Sequence, residues 1–294
     1  MDNFSPLRYP GGKNKTYQYV KYLVENNNID TYIEPFCGGA AVALKLLLNN
    51  DVKKIMLNDF DKSIYAMWFS ILHNNDSFIK KVKEAVFTIE EWDKQQDIQR
   101  NKENVDLLTL GFSTFYLNRT NRSGIIQAGP IGGRAQMGNY KMDCRYNTEV
   151  LINKIELIAK NKSRINLYNI DAIEFIKNNI NRTKRSLTFF DPPYYVKGKQ
   201  LYTNFYEHID HLELRDTIDK YMCKHKWVLT YDFHEEIQNM YSKFEHFPYM
   251  LNYSAGNSKK GIEYIFLTSA IVGIVQWLLT EIYFRKINPN TINL

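Results

Sequence analysis

Asp191-Pro192-Pro193-Tyr194 closes an apolar run, Leu187 to Phe190, in a chain of 294 residues. A short apolar run bounded by turn chemistry reads as a buried strand. Neither proline has the N–H that a strand ladder needs, so the strand stops there. A carboxylate therefore stands at a strand end, on a stiff turn, beside the rings of Tyr194 and Tyr195. That pattern suits the activation of a planar exocyclic amine. Such a nitrogen is a poor nucleophile because its lone pair is delocalised into the ring. Two acceptors on its two N–H bonds localise the pair and hold the nitrogen for in-line attack. Asp191 supplies one acceptor and the Pro192 carbonyl the other, fixed in place before reaction. Tyr194 offers a ring face on which a base can stack.

A second constellation lies near the N-terminus. Glu34-Pro35-Phe36-Cys37-Gly38-Gly39 puts a glycine pair at a strand-to-helix turn. Glycine there lets backbone approach a ligand, and the helix N-terminus favours anionic groups. The spacing is not G-x-G-x-x-G, so the nicotinamide fingerprint is absent. Asp59 follows Glu34 by 25 positions and closes a second strand. An acid at that place holds a ribose hydroxyl pair; the alternative is a helix cap, a duty Asp61 could equally perform.

These residues need a scaffold, and the pattern supplies one. Strands are expected at 31–35, 53–59, 186–190, 226–232 and 261–269, with a third strand and helix sharing 164–177 and Asp171 at their junction. A helix over 40–50 links the first two strands. The fold class expected is α/β, a Rossmann-like, mixed and mostly parallel sheet. Residues 1–61 and 162–269 form the catalytic domain, and 62–161 an inserted helical and hairpin domain, too long for an ordinary connection. Within the insert, Leu107 to Met142 carries four basic residues (Arg119, Arg122, Arg134, Lys141) and no acidic one. Basic side chains neutralise phosphates, while asparagines and Gln127 can address base edges.

The bulk properties narrow the setting. Hydrophobic content of 44% and charged content of 24% are those of a globular chain, and the net charge of +6 leans toward polyanionic partners. Three scattered cysteines show no metal spacing, so no metal is expected, and they fit a reducing, cytoplasmic location. The N-terminus has no apolar signal region. The apolar stretch 265–284 holds a single charge. Its first part reads as a strand, which leaves 270–284, within the tail 270–294, as a helix short for a bilayer; that helix is expected to lie on the protein or a partner chain rather than in lipid.

Taken together, the quoted motifs resemble the D12 class of N6-adenine DNA methyltransferases, the Dam type. Ser5 to Lys15 (SPLRYPGGKNK) resembles the family's N-terminal motif, IEPFCGGAAV its cofactor motif and DPPYY its catalytic motif. The resemblance implies that S-adenosylmethionine is the cofactor. It places Tyr9, Lys13, Glu34, Phe36, Gly38, Asp59, Asp171 and Asp191 around the cofactor, with Asp171 accepting from its adenine amine. Asp191, Pro192 and Tyr194 are then catalytic, acting on an adenine flipped out of duplex DNA. FYLNRTNRSGI, 115–125, is similar to the family's DNA-recognition hairpin, which puts Arg119, Asn121, Arg122, Gln127 and Arg134 on DNA. Gln127 stands where relatives reading GATC tend to carry a guanine-reading arginine, so a different site is expected. A companion restriction endonuclease is a candidate partner. Two other readings stay open at this point: a methyltransferase of RNA or a protein amide, and a catalytically silent DNA-binding regulator.

Overall fold

The computed structural model describes residues 3–8, 16–196, 206–252 and 260–271. Tyr9 and Lys13 fall outside them, as does the expected C-terminal helix from Val272 onward. Seven strands build one sheet: β1 Thr31–Glu34, β2 Lys54–Asn58, β3 Ile165–Tyr168, β4 Ser186–Phe190, β5 Lys226–Asp232, β6 Glu245–Asn252 and β7 Lys260–Leu267. Their order is β3-β2-β1-β4-β5-β7-β6. The first five run parallel, and β7 lies antiparallel between β5 and β6.

The register carries function. Ile33 of β1 pairs with Met56 of β2 and with Thr188 of β4, so the three strands end near one level. Strand order reverses at β1, with β2 on one side and β4 on the other. That reversal is the switch point outside which open α/β sheets bind their ligands. The strands read as nearly continuous apolar runs because both faces are covered. Tyr32 joins the buried cluster on one face, and Ile33 joins the cluster on the other.

Helices α1 Tyr17–Asn26 and α2 Ala41–Leu48 flank β1. Between β2 and β3 run α3 Lys62–His73, α4 Asn75–Lys83, α5 Ile89–Arg100, α6 Leu107–Thr120 and α7 Thr148–Lys160. Side-chain caps start several of them: Asp61 accepts from Ser63 N–H, Thr88 from Glu91 N–H and Asp106 from Thr109 N–H. Trp68, Phe78, Phe115 and Ile155 share one buried cluster with Leu44 of α2 and Leu57 of β2, so these helices extend the core. Helix α8 Ala172–Asn178 follows β3; α9 His208–Tyr221 and α10 Glu235–Met240 complete the set described.

Two differences from the sequence reading have physical causes. Strand β6 escapes a pattern search because Pro248 interrupts it; the sheet tolerates that proline because β6 is an edge strand. Where the resemblance implies a hairpin, α6 continues through Thr120. A compact loop follows, closed by the antiparallel bridge between Asn121 and Pro130. Among the described residues, no helix is long and apolar enough to cross a membrane.

Helices α3 and α6 pack closely at Gly111. A Cβ built there would lie 2.5 Å from both the Ala66 carbonyl oxygen and Ser70 Oγ. Gly111→Ala should cost about 1–3 kcal/mol through this overpacking, read as a lowered midpoint in urea unfolding. An unchanged midpoint would mean that the two helices are free to separate.

Candidate active site

The site is built from the turns that leave the parallel strands. Asn58, the last residue of β2, is fully buried. Its side-chain amide donates to the Pro35 and Ile170 carbonyls, each at 3.0 Å, and its Oδ1 accepts from Ile170 N–H at 3.1 Å. One side chain therefore joins the turns after β1, β2 and β3. Asn169 adds to it by donating to the carbonyls of Asp59 and Phe60. Sequence reasoning had no signal for Asn58, since a polar residue at a strand end ordinarily marks a turn.

That stitching aims Asp59. Its Oδ2 accepts from Gly38 N–H at 2.8 Å and its Oδ1 from Asp61 N–H at 3.0 Å. Oδ2 also takes a long contact from Cys37 Sγ at 4.0 Å, whereas Oδ1 keeps a further lone pair for a ligand. Burial, and then the neighbouring Asp61 charge, push the Asp59 carboxyl up to about 7, against the pull of those two N–H bonds. The turn it holds is left-handed, with φ of 43° at Gly38 and 46° at Ala40. A glycine at 38 accepts that conformation freely, whereas Ala40 is held in it by the surroundings. Trp68 Nε1–H donates to the Gly38 carbonyl at 2.9 Å and anchors the turn from the other side.

Glu34 is buried at the end of β1, and Oε1 accepts from Ala43 N–H of α2. Burial pushes it up to about 8; the hydrogen bond from Ala43 opposes the shift, and the charge of Asp191 adds to it. Phe36, half-buried, meets the Tyr206 ring edge-on at 6.0 Å between centroids. Asp171 caps α8, its Oδ1 accepting from Ile173 N–H at 2.8 Å. Phe60, beside Asp59, exposes 59% of its surface, an aromatic face that the motif search passed over.

Across the switch point, β5 fixes the Asp191 turn. Thr230 Oγ1 donates to Asp191 Oδ1 at 2.8 Å. Two residues on, and so on the same face of the strand, the buried Asp232 accepts from the backbone N–H of Tyr195 at 3.0 Å and of Val196 at 2.9 Å, one on each carboxylate oxygen. Tyr194 is buried, with its ring 6.3 Å from that of Tyr231. Tyr195 shares a 3.0 Å hydrogen bond with His208 Nδ1 and packs against the rings of His211 and His234. Burial pushes His211 down to about 4, so it stays neutral at ordinary pH.

The structure brings Glu34, Phe36, Gly38, Asp59, Asp171, Asp191, Pro192 and Tyr194 to the same end of the parallel strands, on turns that follow β1 to β4. The expected DNA residues separate into two groups. Arg122 and Gln127 are exposed on the loop after α6. Asn121 is instead fully buried: its Oδ1 accepts from Trp92 Nε1–H, and its amide donates to the Ile125 and Ile126 carbonyls, so it builds the loop and presents nothing to a base. Arg119 also departs from expectation. Its guanidinium donates to the Arg145 and Pro6 carbonyls, and burial followed by the Arg8 charge push it down to about 10. Arg134 makes a bidentate pair with Asp93 at 2.7 and 2.8 Å beside the Trp92 ring. Counting charge within Leu107 to Met142 missed this acid because it lies 41 positions earlier, on α5.

The sheet is doubly wound, with acids at the ends of β1 and β2 and an acid followed by two prolines after β4. Residues 9–253 match the D12 class N6 adenine-specific DNA methyltransferase family, and the chain belongs to it. It is similar to the Type II methyltransferase M.MjaIII of Methanocaldococcus jannaschii, 23% identical over 203 residues that cover 64% of this chain and 68% of that protein. Among solved structures, it is similar to the rRNA methyltransferase aviRa from Streptomyces viridochromogenes. That likeness has a TM-score of 0.37 and 8% identity, and covers 89% of this chain and 86% of that one. The protein is thus a DNA methyltransferase.

Asp232 supplies the prediction here. Asp232→Ala frees two backbone amides and lets the turn carrying Asp191 and Tyr194 drift. It should lower kcat about 10²-fold, the scale of a 1 Å misplacement, with the fold kept by circular dichroism. A kcat within threefold of wild type would show that the turn holds itself.

Proposed function

We propose that the protein transfers a methyl group from S-adenosylmethionine to N6 of an adenine flipped out of duplex DNA, at a specific sequence. The observation that carries this reading is the Asp191 turn, with its carboxylate oriented by Thr230 and the following amides clamped by Asp232. The residues present fit the cofactor. Asp59 Oδ1 keeps a lone pair beyond the one given to Asp61 N–H, and burial pushes both Asp59 and Glu34, at neighbouring strand ends, up in a way that a cationic ligand relieves.

When bound, S-adenosylmethionine supplies a methyl group on a positively charged sulfur. Asp59 holds the ribose hydroxyls with the lone pairs that Gly38, Cys37 and Asp61 leave open. Asp171 accepts from the cofactor's adenine amine with the oxygen not used as a cap, and the Phe60 ring covers that adenine. Phe36 and the Gly38 turn line the remaining wall, with Glu34 behind them. Tyr9 and Lys13 complete the set by family position.

Asp191 and the Pro192 carbonyl take the two N–H bonds of the target amine, and Tyr194 stacks on its ring. Held this way, the amine nitrogen would present its localised lone pair to the methyl group that the cofactor supplies, and the proton shed from the methylated nitrogen would pass along its hydrogen bond to Asp191 and on to solvent. No strong base is required, because a cationic amine on such a ring is acidic. The burial of Tyr194 supports flipping, since a base still stacked in a duplex could not reach it.

For the duplex, Arg122 faces phosphate and Gln127 a base edge. Glutamine pairs side by side with adenine N7 and N6, whereas arginine suits guanine, so the site methylated differs from GATC in its flanks. Cytoplasmic modification of host DNA alongside a companion endonuclease agrees with the Type II naming of the relative.

Asp191→Ala should abolish methyl transfer to unmethylated DNA, followed with radiolabelled cofactor, and Asp191→Asn should leave a small residue because an amide is the weaker acceptor. Turnover of the alanine variant within tenfold of wild type would overturn the assignment. The raised carboxyls also set a pH dependence. In the free protein Asp59 is protonated below about 7, and the bound ribose and sulfonium favour its charged form. Each binding event below that pH must expel a proton, so cofactor affinity should rise with pH between 6 and 8, by up to about tenfold per unit below 7. Calorimetry in buffers of different ionisation enthalpy should register the released proton. Affinity flat across this range would contradict the role of Asp59.

A further inference from the structure

Arg8, Arg119 and Arg145 meet where the N-terminal segment, α6 and the short turn Met142–Arg145 come together. Arg119 is half-buried; Nε and Nη2 donate to the Arg145 carbonyl, and Nη1 donates to the Pro6 carbonyl. Its donors are spent on backbone, and what they hold in place is residue 145. The turn is also fastened from within. Met142 and Tyr146 are buried on either side of Arg145, and the Tyr146 ring packs on Phe87 at 4.8 Å and on Phe115 at 5.6 Å. Arg145 itself is exposed, and among the described residues its side chain makes no hydrogen bond or ion pair. Arg8 is half-buried and donates Nη1 to the Asn121 carbonyl at 3.2 Å, at the start of the loop that carries Arg122 and Gln127. The three charges act on one another. Burial, and then the Arg145 charge, hold Arg8 below its ordinary range, and Arg119 feels both Arg8 and Arg145. Among the described residues no acid forms an ion pair with any of the three, whereas Arg134 is neutralised by Asp93. Such a cluster repels itself in the free protein and is relieved when a polyanion supplies the missing charge.

We infer that Arg145, with Arg8 beside it, is a clasp for the phosphates of duplex DNA next to the loop of Arg122 and Gln127, and that Arg119 is the positioning residue that aims it. The inference rests on the function proposed above and deepens it by naming where the duplex backbone is gripped. A guanidinium presents a flat fork of donors that matches two phosphate oxygens. Contacts of this kind fix the register of the duplex and carry no sequence information. The clasp therefore differs in kind from Gln127, which faces a base edge.

The test measures binding of the full-length protein across a salt series to two probes: sheared, unmethylated genomic DNA, and a duplex of G·C pairs only, which has phosphates and no adenine. Arg145→Gln removes a side chain that makes no bond within the protein, so the fold is kept. It should weaken binding to both probes alike, about fivefold to tenfold near about 0.1 M salt, and lower the slope of log K against log salt by about one. Arg119→Gln should lower the slope by the same amount, and add nothing to it when residue 145 is already glutamine. Lys184→Gln removes an equal charge just before β4, at the opposite end of the parallel strands from the site, and should leave the slope as in wild type. An Arg145→Gln slope unchanged from wild type would overturn the clasp and leave the proposed methylation standing. So would a matching fall in Lys184→Gln, which would trace the effect to net charge, or a loss confined to genomic DNA, which would make Arg145 a base reader. Additive losses from Arg119→Gln and Arg145→Gln would overturn the positioning role of Arg119. A wild type that binds neither probe would overturn both the clasp and the proposed function.

Discussion

Three strand ends must sit at fixed spacing for this pocket to exist, and the side chain of Asn58 fixes them. Its three hydrogen bonds tie the turns after β1 and β3 to the end of β2 in a place that water does not reach. Any partner left unpaired there would cost about 1–3 kcal/mol, so the turns move together or not at all. Asp59 is the next residue in the chain and inherits that rigidity. The Gly38 turn follows in sequence of cause, because its conformation is held by Asp59 on one side and Trp68 on the other.

The opposite half of the pocket is held by a neighbouring strand in the same manner. Thr230 and Asp232 lie on one face of β5 and fasten the Asp191 turn at two points. The turn proposed to hold the target amine is thus stiff and supported from beneath, and its prolines lack the freedom to relax away. Electrostatics complete the design. Crowded, buried carboxyls are costly while empty of charge partners, and the same crowding favours a cationic cofactor and a polarised amine. Local instability and ligand preference have one origin.

Much of this was legible in the sequence, for reasons that can be named. The apolar runs of β1, β2, β4 and β5 are continuous because both sheet faces are covered, so they stand out from their surroundings. Asp191 and Asp59 are visible because each terminates such a run. What stayed hidden depends on partners distant in sequence. Asn58 reaches Ile170 across 112 positions, and Asp232 reaches Val196 across 36. The basic insert was misjudged for the same reason: Arg134 is neutralised by Asp93, and Asn121 and Arg119 spend their polar groups on backbone. Residue type announces capacity for a hydrogen bond, while only the fold decides who receives it.

The central claim is that this pocket methylates the exocyclic nitrogen of adenine in DNA. Genomic DNA from cells producing the full-length protein, in a host lacking its own adenine methylation, can be sequenced for modified bases at single-nucleotide resolution. The account predicts N6-methyladenine within one recurring sequence that differs from GATC, and none in cells carrying the Asp191→Ala chain. Methylation on cytosine, or no modified base in either culture, would contradict it.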